Sequence, residues 1–426
     1  MNRYDTPSFN LPFFYGWVIV GTIFAVNFST MATGTFNFGL FVIPMGITLG
    51  ASRSFFGWAQ TIRLVAGGIS STFIGKLLDS HGPRFLIPTA AIVIFFSMLG
   101  LAYISKPWHL LVLFGIIGLT GLTAPGNMMG SVPIAKWFII NRGKALAWST
   151  AGLGIGGIVF LPLTQLLIDN LGWKPTWIVL AFCSIAISFP LSLIFLRRQP
   201  EDVGLNPDGI SSSPFKSTNL ASRPQEFQWT VSNAIHTKTF WHLITFFFLL
   251  GLASGLSEVH RVPYWIEQGF GPQTVSYAMA ADAALAALAI FGSGFLLDRY
   301  SSKNIAISSC IGFFFATNLM MIAGNSFFLF SSTGLWGLSV GIHMMVMSFI
   351  WADYFGRTFA GSIRGIVLPA SLIGAGIGSP LAGYIYQAAN SYMPVWWGLF
   401  AIYIVAAWMV SFVRPPIHPD ATNQFG

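Results

Sequence analysis

Gly75-Lys-Leu-Leu-Asp79-Ser-His-Gly82-Pro-Arg84 closes one long apolar run and opens the next, and its outline returns as Gly294-Phe-Leu-Leu-Asp298-Arg299-Tyr-Ser-Ser-Lys303. Each copy leaves an apolar run through Gly-x-Leu-Leu-Asp, turns over a few polar residues and meets a cation before the next run. A second echo pairs Arg142-Gly143 with Arg364-Gly365, each followed by a glycine-rich run at Gly152–Gly156 and Gly374–Gly378. Two independent echoes at one spacing of about 220 residues mark a duplicated half.

The composition names the solvent. Apolar residues are 54% of the chain and charged residues only 8%. The apolar residues come in runs long enough to cross a hydrocarbon core as helices. We therefore predict an all-α polytopic membrane protein of twelve transmembrane helices in two pseudo-symmetric six-helix halves. The spans are expected near 14–41, 53–77, 85–104, 109–135, 144–168 and 175–196, then 240–263, 274–297, 304–323, 327–352, 362–386 and 394–413. This gives an N-terminal half at 1–196, a Pro- and Ser-rich polar connection at 197–239 and a C-terminal half at 240–426.

Charge sets the orientation. With the N-terminus inside, the outer loops hold only Arg53, Lys106 and Lys174, and nearly all other Lys and Arg fall inside. Both termini are expected in the cytoplasm and the chain in the plasma (inner) membrane, with the first span acting as the insertion signal. The net charge of +8 is then an orientation signal and not a nucleic-acid footprint. Cys183 and Cys310 lie inside apolar runs, so neither a disulfide framework nor a metal site is expected.

The repeated Gly-x-x-x-Asp loop, the six-plus-six pattern and the central connection resemble the major facilitator superfamily across nearly the whole chain. That resemblance implies a gating role for the loop residues Gly75, Asp79, Gly82, Arg84, Gly294, Asp298 and Arg299. The chain departs from the usual Asp-Arg-x-Gly-Arg continuation at Ser80 and lacks the second copy's glycine. Tyr15-Gly16-Trp17, Arg197-Arg-Gln-Pro-Glu-Asp-Val-Gly204-Leu-Asn-Pro-Asp208-Gly209 and Val259-His260-Arg-Val-Pro263-Tyr264 are similar to the monocarboxylate-transporter-like branch, which includes oxalate–formate exchangers. Animal members of that branch carry a span-one Lys and an Asp–Arg pair one turn apart in span eight. Here Asp282 is followed by Ala286, span one has no Lys, and the exchangers' span-eleven Lys is absent. Neither lactate nor oxalate is implied.

Ionisable groups inside spans are costly and mark pathways. Arg63 lies near the middle of its span, with Gln60, Gly67 and Ser70 on the same face. A guanidinium there can hold a carboxylate through two parallel hydrogen bonds, or pair permanently with Asp282. Asp282 suits a proton carrier or a fixed partner for Arg63 or Arg261. Ser254, Glu258 and Arg261 share a face at i, i+4 and i+7, where Glu258 either handles protons or pairs with Arg261. His260 reads as a helix-end hydrogen-bonding group, with proton handling as the other role. His343 shares a face with Trp336 and Met347 and is either a packing residue or a cavity residue. Polar stripes that include Asn27 on span one and Asn127 on span four are expected to line a cavity or to bond between helices.

Gly152-Leu-Gly-Ile-Gly-Gly157 satisfies a dinucleotide pattern, but it lies inside a span and follows no strand. Close helix packing explains it. No HExxH, Walker A, CxxC or nucleophile elbow occurs, so no enzyme, cofactor or ATP drive is expected. The reading is a monomeric secondary transporter in the lipid bilayer, working by alternating access on a small organic anion together with a proton or other coupling ion. Export of amphipathic solutes, or a receptor or scaffold that no longer transports, are the alternatives.

Overall fold

The structure is a computed structural model describing residues 13–122, 128–209, 231–297, 299–355 and 360–416. The described residues form helices and no strands. In the N-terminal half, span 1 is Gly16–Thr30, a 3₁₀ turn at Met31–Thr33, and Thr35–Leu49. Span 2 is Arg53–His81 and span 3 is Pro83–Ala102. Span 4 combines Pro107–Leu119 with Met128–Trp137, span 5 is Arg142–Leu171 and span 6 is Trp173–Phe195. In the C-terminal half, span 7 combines Lys238–Ser257 with Arg261–Glu267, and span 8 is Pro272–Leu297. Spans 9 to 12 are Ser302–Met321, Ser326–Phe355, Ala360–Ala389 and Met393–Ser411.

Ten of these helices are long and apolar enough to cross a membrane by length and composition. Span 2 is diluted by the polar residues that give it chemistry, and span 4 is interrupted by undescribed residues. Span 1 runs further than the sequence suggests, to Leu49, because Pro44 is accommodated inside its second helix and not at its end. Gly82 makes the junction between spans 2 and 3 at φ +78°, a conformation side chains rarely adopt, and Pro83 starts the next helix where its missing N–H is harmless.

Each half has its own core. One is built from residues between Ile19 and Leu196, joined by Val259; the other runs from Ala234 to Val413, joined by Leu40 and Leu161. Large apolar side chains such as Phe73, Phe96, Phe182 and Trp397 point out of the bundle, as a lipid-facing surface requires. Small residues set the helix contacts. Within the C-terminal half, Gly251 and Gly255 of span 7 touch the backbone of span 11 at Ser371 and Ala375.

Most of the contact between the halves is made by span 2 against span 11 and span 5 against span 8, with the second helix of span 1 also meeting span 7. Gly57 meets the Ser379 carbonyl, while Gly154 and Gly157 meet Ala287 and Ala283, so the glycine motif of span 5 serves backbone approach. Hydrogen bonds across this seam gather toward the end remote from the termini. Arg53 pairs with Glu267 at 2.6 Å, Trp58 Nε1 donates to Tyr384 Oη at 3.1 Å, and Gln387 Nε2 donates to Ser54 Oγ at 3.1 Å. Deeper in the seam, Thr61 Oγ1 donates to the Gly376 carbonyl at 2.6 Å.

Candidate functional site

Spans 1 and 7 occupy corresponding positions in the two halves, and both are broken along their length. A broken helix leaves carbonyls without their usual intrahelical donors. In span 1 the 3₁₀ turn frees the carbonyls of Ala32 and Thr33. Asn37 Nδ2 donates to the first at 2.7 Å, and Arg63 Nη1 reaches from span 2 to the second at 2.6 Å. In span 7 the helix stops at Ser257 and restarts at Arg261, with Glu258, Val259 and His260 in the turn.

Between these breaks lies a cavity of about 110 Å³. Thr35, Gln60, Arg63 and Leu64 line it from the N-terminal half; Gly255, Glu258, Val259, Ala375 and Ser379 line it from the C-terminal half. Arg63 is 8% exposed and Gln60 3%. The cavity therefore holds a guanidinium from one half and a carboxylate from the other. Span 4 presses on span 2 here, with Gly118 against the Arg63 backbone.

The remaining ionisable groups are deployed differently from the sequence expectation. Asp282 does not pair with Arg63. It accepts from Arg261 Nη1 at 2.7 Å, both side chains being 1% exposed, and the Arg261 guanidinium lies over the Trp336 ring at 4.3 Å. Nor does Glu258 pair with Arg261: its carboxylate accepts from Ser254 Oγ, one turn earlier. The interruption after Ser257 breaks the register that would have set Glu258 and Arg261 on one face.

His260 is fully buried and uses both ring nitrogens. The Ser379 carbonyl, 2.9 Å from Nε2, can only accept, so Nε2 carries the proton and Nδ1 accepts from Tyr392 Oη at 3.1 Å. This makes His260 a tether between spans 7, 11 and 12. His343 sits among the rings of Phe246, Phe247 and Phe313 and does not line the Arg63 cavity. Asn27 donates to the Ser149 carbonyl at 2.9 Å, a bond between spans 1 and 5. Asn127 and Asp298 lie outside the described residues, as do the side-chain surroundings of Gly75, Asp79 and Gly294.

Of the loop residues that are described, Arg84 donates from Nε to the Leu193 carbonyl at 3.1 Å, tying the start of span 3 to the end of span 6. Arg299 is exposed, its backbone N–H bonded to the Leu296 carbonyl. Beyond span 6 the chain forms a strap across the terminus-bearing end of the N-terminal half. Tyr15 Oη donates to the Phe195 carbonyl at 2.8 Å, and Trp137 Nε1 to the Arg197 carbonyl at 3.4 Å. The Asp208 carboxylate accepts from the backbone N–H groups of Ile139, Ile140 and Asn141 at 2.7, 2.8 and 3.2 Å, at the start of span 5. Partial burial works to raise its pKa, but these N–H groups outweigh it and hold the carboxyl below the ordinary aspartate value.

Sequence reasoning missed Thr35, Ser379, Glu267 and the strap. Ser379 had one visible signal, its place before Pro380 in the glycine-rich run of span 11.

Two six-helix halves, broken helices in matching positions and a charged cavity at the seam define the class of membrane transporters built by duplication. The sequence profile of the Major Facilitator Superfamily matches residues 22–266 and 261–426, and the chain belongs to that superfamily. An uncharacterised MFS-type transporter, YcxA, of Bacillus subtilis is 24% identical over 292 residues, covering 67% of this chain and 65% of that protein. Monocarboxylate transporter 12-B of Danio rerio is 22% identical over 400 residues, covering 89% of this chain and 82% of that protein. The crystal structure of the nucleoside transporter NupG superposes with a TM-score of 0.71 at 14% identity, covering 94% of this chain and 98% of that one. The chain is thus a multi-pass membrane transporter protein and not an enzyme.

Proposed function

We propose that this protein moves a small organic anion, a short carboxylate, together with a proton, by alternating access between its two halves. The similarity to monocarboxylate transporters supports the solute class. The observation that carries the reading is the cavity shared by Arg63 and Glu258 at the seam. Arg63 would hold the carboxylate through its guanidinium fork. An ionised Glu258 beside that anion would repel it, so the anion enters favourably only when Glu258 has taken a proton. Anion and proton then load together, and the site keeps the same net charge loaded and empty.

The hydrogen bonds at the end remote from the termini would belong to a conformation closed on that side. By the distribution of cations, that side is the outside and the termini are cytoplasmic, in the plasma membrane.

Proteoliposomes carrying a pH gradient test this. Arg63→Lys keeps the charge but loses the fork, and should raise the KM for carboxylate uptake at least tenfold with normal insertion. Glu258→Gln should retain carboxylate exchange while losing accumulation driven by the gradient. Unchanged KM in the first variant, or undiminished accumulation in the second, would overturn the assignment.

A further inference from the structure

We infer that the terminus-bearing end of spans 1 and 5 carries a site for one anionic phospholipid, with an acyl chain in an apolar groove between the two helices and the phosphate on Lys144.

The groove follows from how the two spans meet. Gly152 of span 5 lies against the Phe24 carbonyl of span 1, so the helices touch backbone to backbone there. Toward the terminus-bearing end this contact opens into a groove of about 250 Å³, lined by Trp17, Val20, Gly21, Phe24 and Trp148. Gly21 supplies the space, since a β-carbon there would meet nothing from the rest of the fold within 4 Å. Trp17 and Trp148 are the exposed walls. Each is braced edge-on by another ring, Trp17 by Phe138 at 5.2 Å between centroids and Trp148 by Phe291 of span 8 at 6.3 Å.

The charge at its head sets this groove apart from the rest of the lipid-facing surface. Lys144 precedes Trp148 by four residues, so the two share one face of span 5, ~6 Å apart along its axis. Both are exposed, and Arg142 stands exposed two residues further toward the end. Neither cation makes an ion pair among the described residues. The Asp208 carboxylate at the same corner is taken by the backbone N–H groups of Ile139, Ile140 and Asn141.

A cation at the mouth of an apolar, lipid-facing groove matches an amphipathic anion. The chain fills the groove, the phosphate meets the ammonium, and the two indoles sit at the boundary between them, where tryptophan is favoured. A zwitterionic lipid fills the groove equally well but brings a cation of its own to Lys144. A soluble anion meets the ammonium but has nothing to place in the groove. Under the proposed orientation this end faces the cytoplasmic leaflet, where anionic lipids raise binding about fivefold for each nearby Lys or Arg.

Native mass spectrometry of the purified full-length protein, resolving individual lipid adducts, tests the site with phosphatidylglycerol and phosphatidylcholine of identical acyl chains. The first phosphatidylglycerol should bind wild type at least fivefold more tightly than the first phosphatidylcholine. Lys144→Gln should bring that ratio below twofold with phosphatidylcholine binding unchanged. Gly21→Leu, whose side chain occupies the open space, should weaken both lipids at least threefold. Lys174→Gln is the control. Lys174 also lies by an indole, 5.4 Å over the Trp173 ring, but at the other end of the bundle, and its loss should leave the ratio as in wild type. Equal binding of the two lipids to wild type, a ratio kept in Lys144→Gln, or undiminished binding to folded Gly21→Leu overturns the site. A ratio lost equally in Lys174→Gln overturns it too, by showing general charge attraction. Glycerol 3-phosphate displacing phosphatidylglycerol at equal concentration would show a soluble-anion site and overturn the lipid assignment. If Gly21→Leu fails to fold, the two lysine variants, both at exposed positions, still decide the matter.

Discussion

Removing the charge of Asp282 tests how the C-terminal half holds its buried ions. Asp282 and Arg261 are each 1% exposed and 2.7 Å apart, and the guanidinium also lies on Trp336. Asp282→Asn leaves the pair's geometry but strands a cation with almost no water, a situation that costs about 3–5 kcal/mol. Arg261→Gln strands the carboxylate at similar cost. Arg261→Gln with Asp282→Asn removes both charges and should recover most of the loss, giving a coupling energy of several kcal/mol. Unfolding titrations in mixed micelles across wild type, both singles and the double would measure it. The cycle of Arg63→Gln with Asp282→Asn serves as the control. These two residues do not share an ion pair, so their effects should add to within about 0.5 kcal/mol. If the Arg261–Asp282 double is as damaged as the sum of its singles, or if the strong coupling appears with Arg63, the pairing described here is wrong.

Two further perturbations address the ends of the bundle. The Arg53–Glu267 pair is 17% and 30% exposed, so Glu267→Gln should cost under about 1 kcal/mol of stability yet loosen the seam. In a background without Cys183 and Cys310, Ser54→Cys should react severalfold faster with an impermeant thiol reagent on intact cells when Glu267→Gln is added. An unchanged rate would remove the lock, and labelling only after permeabilisation would reverse the orientation. Asp208→Ala takes the acceptor from three N–H groups and should destabilise the N-terminal half by about 1 kcal/mol. The Asp208 carboxyl is depressed in the fold, so its contribution is present above the ordinary aspartate value of 3.8 and is lost as the pH falls below it. A wild type and Asp208→Ala that differ equally at pH 7 and pH 3 would refute this.

The spans, the duplication and the intramembrane charges were legible because each depends on composition and spacing alone. Arg63, Gln60 and Glu258 could be singled out because a polar side chain in a span has few reasons to be there. Their partners were hidden. Whether Arg261 turns to Glu258 or to Asp282 depends on the break after Ser257, and apolar periodicity does not register a break of one turn. The aromatic seat of His343 likewise depends on how spans 7, 9 and 10 are rotated about their own axes. Ser379 was hidden for a third reason: a serine in a glycine-rich helix reads as a packing residue until its hydroxyl is found without a partner.

The division of charge between the halves bears on which carboxylate would handle the proton of the proposed coupling. Protonating Asp282 would strand Arg261 in a place with no other acid at hydrogen-bond distance among the described residues, at the same cost as the Asp282→Asn change. Protonating Glu258 strands nothing of that kind, because its described partner is the neutral Ser254 hydroxyl and it borders a cavity. Under the proposed function the Arg261–Asp282 pair would stay a compensated ion pair inside the C-terminal half, and Glu258 would be the group that changes charge. Arg63 belongs to the other half, so any rocking about the seam changes the separation of Arg63 and Glu258 while leaving Arg261 and Asp282 together. Separating an ionised Arg63 and Glu258 in a medium of low dielectric costs Coulomb energy. A neutral Glu258 with an anion already on Arg63 removes that cost. Under the proposed function the loaded site would rock because each half would then carry its charges already compensated, and the coupling of anion to proton would follow from which half owns which ion.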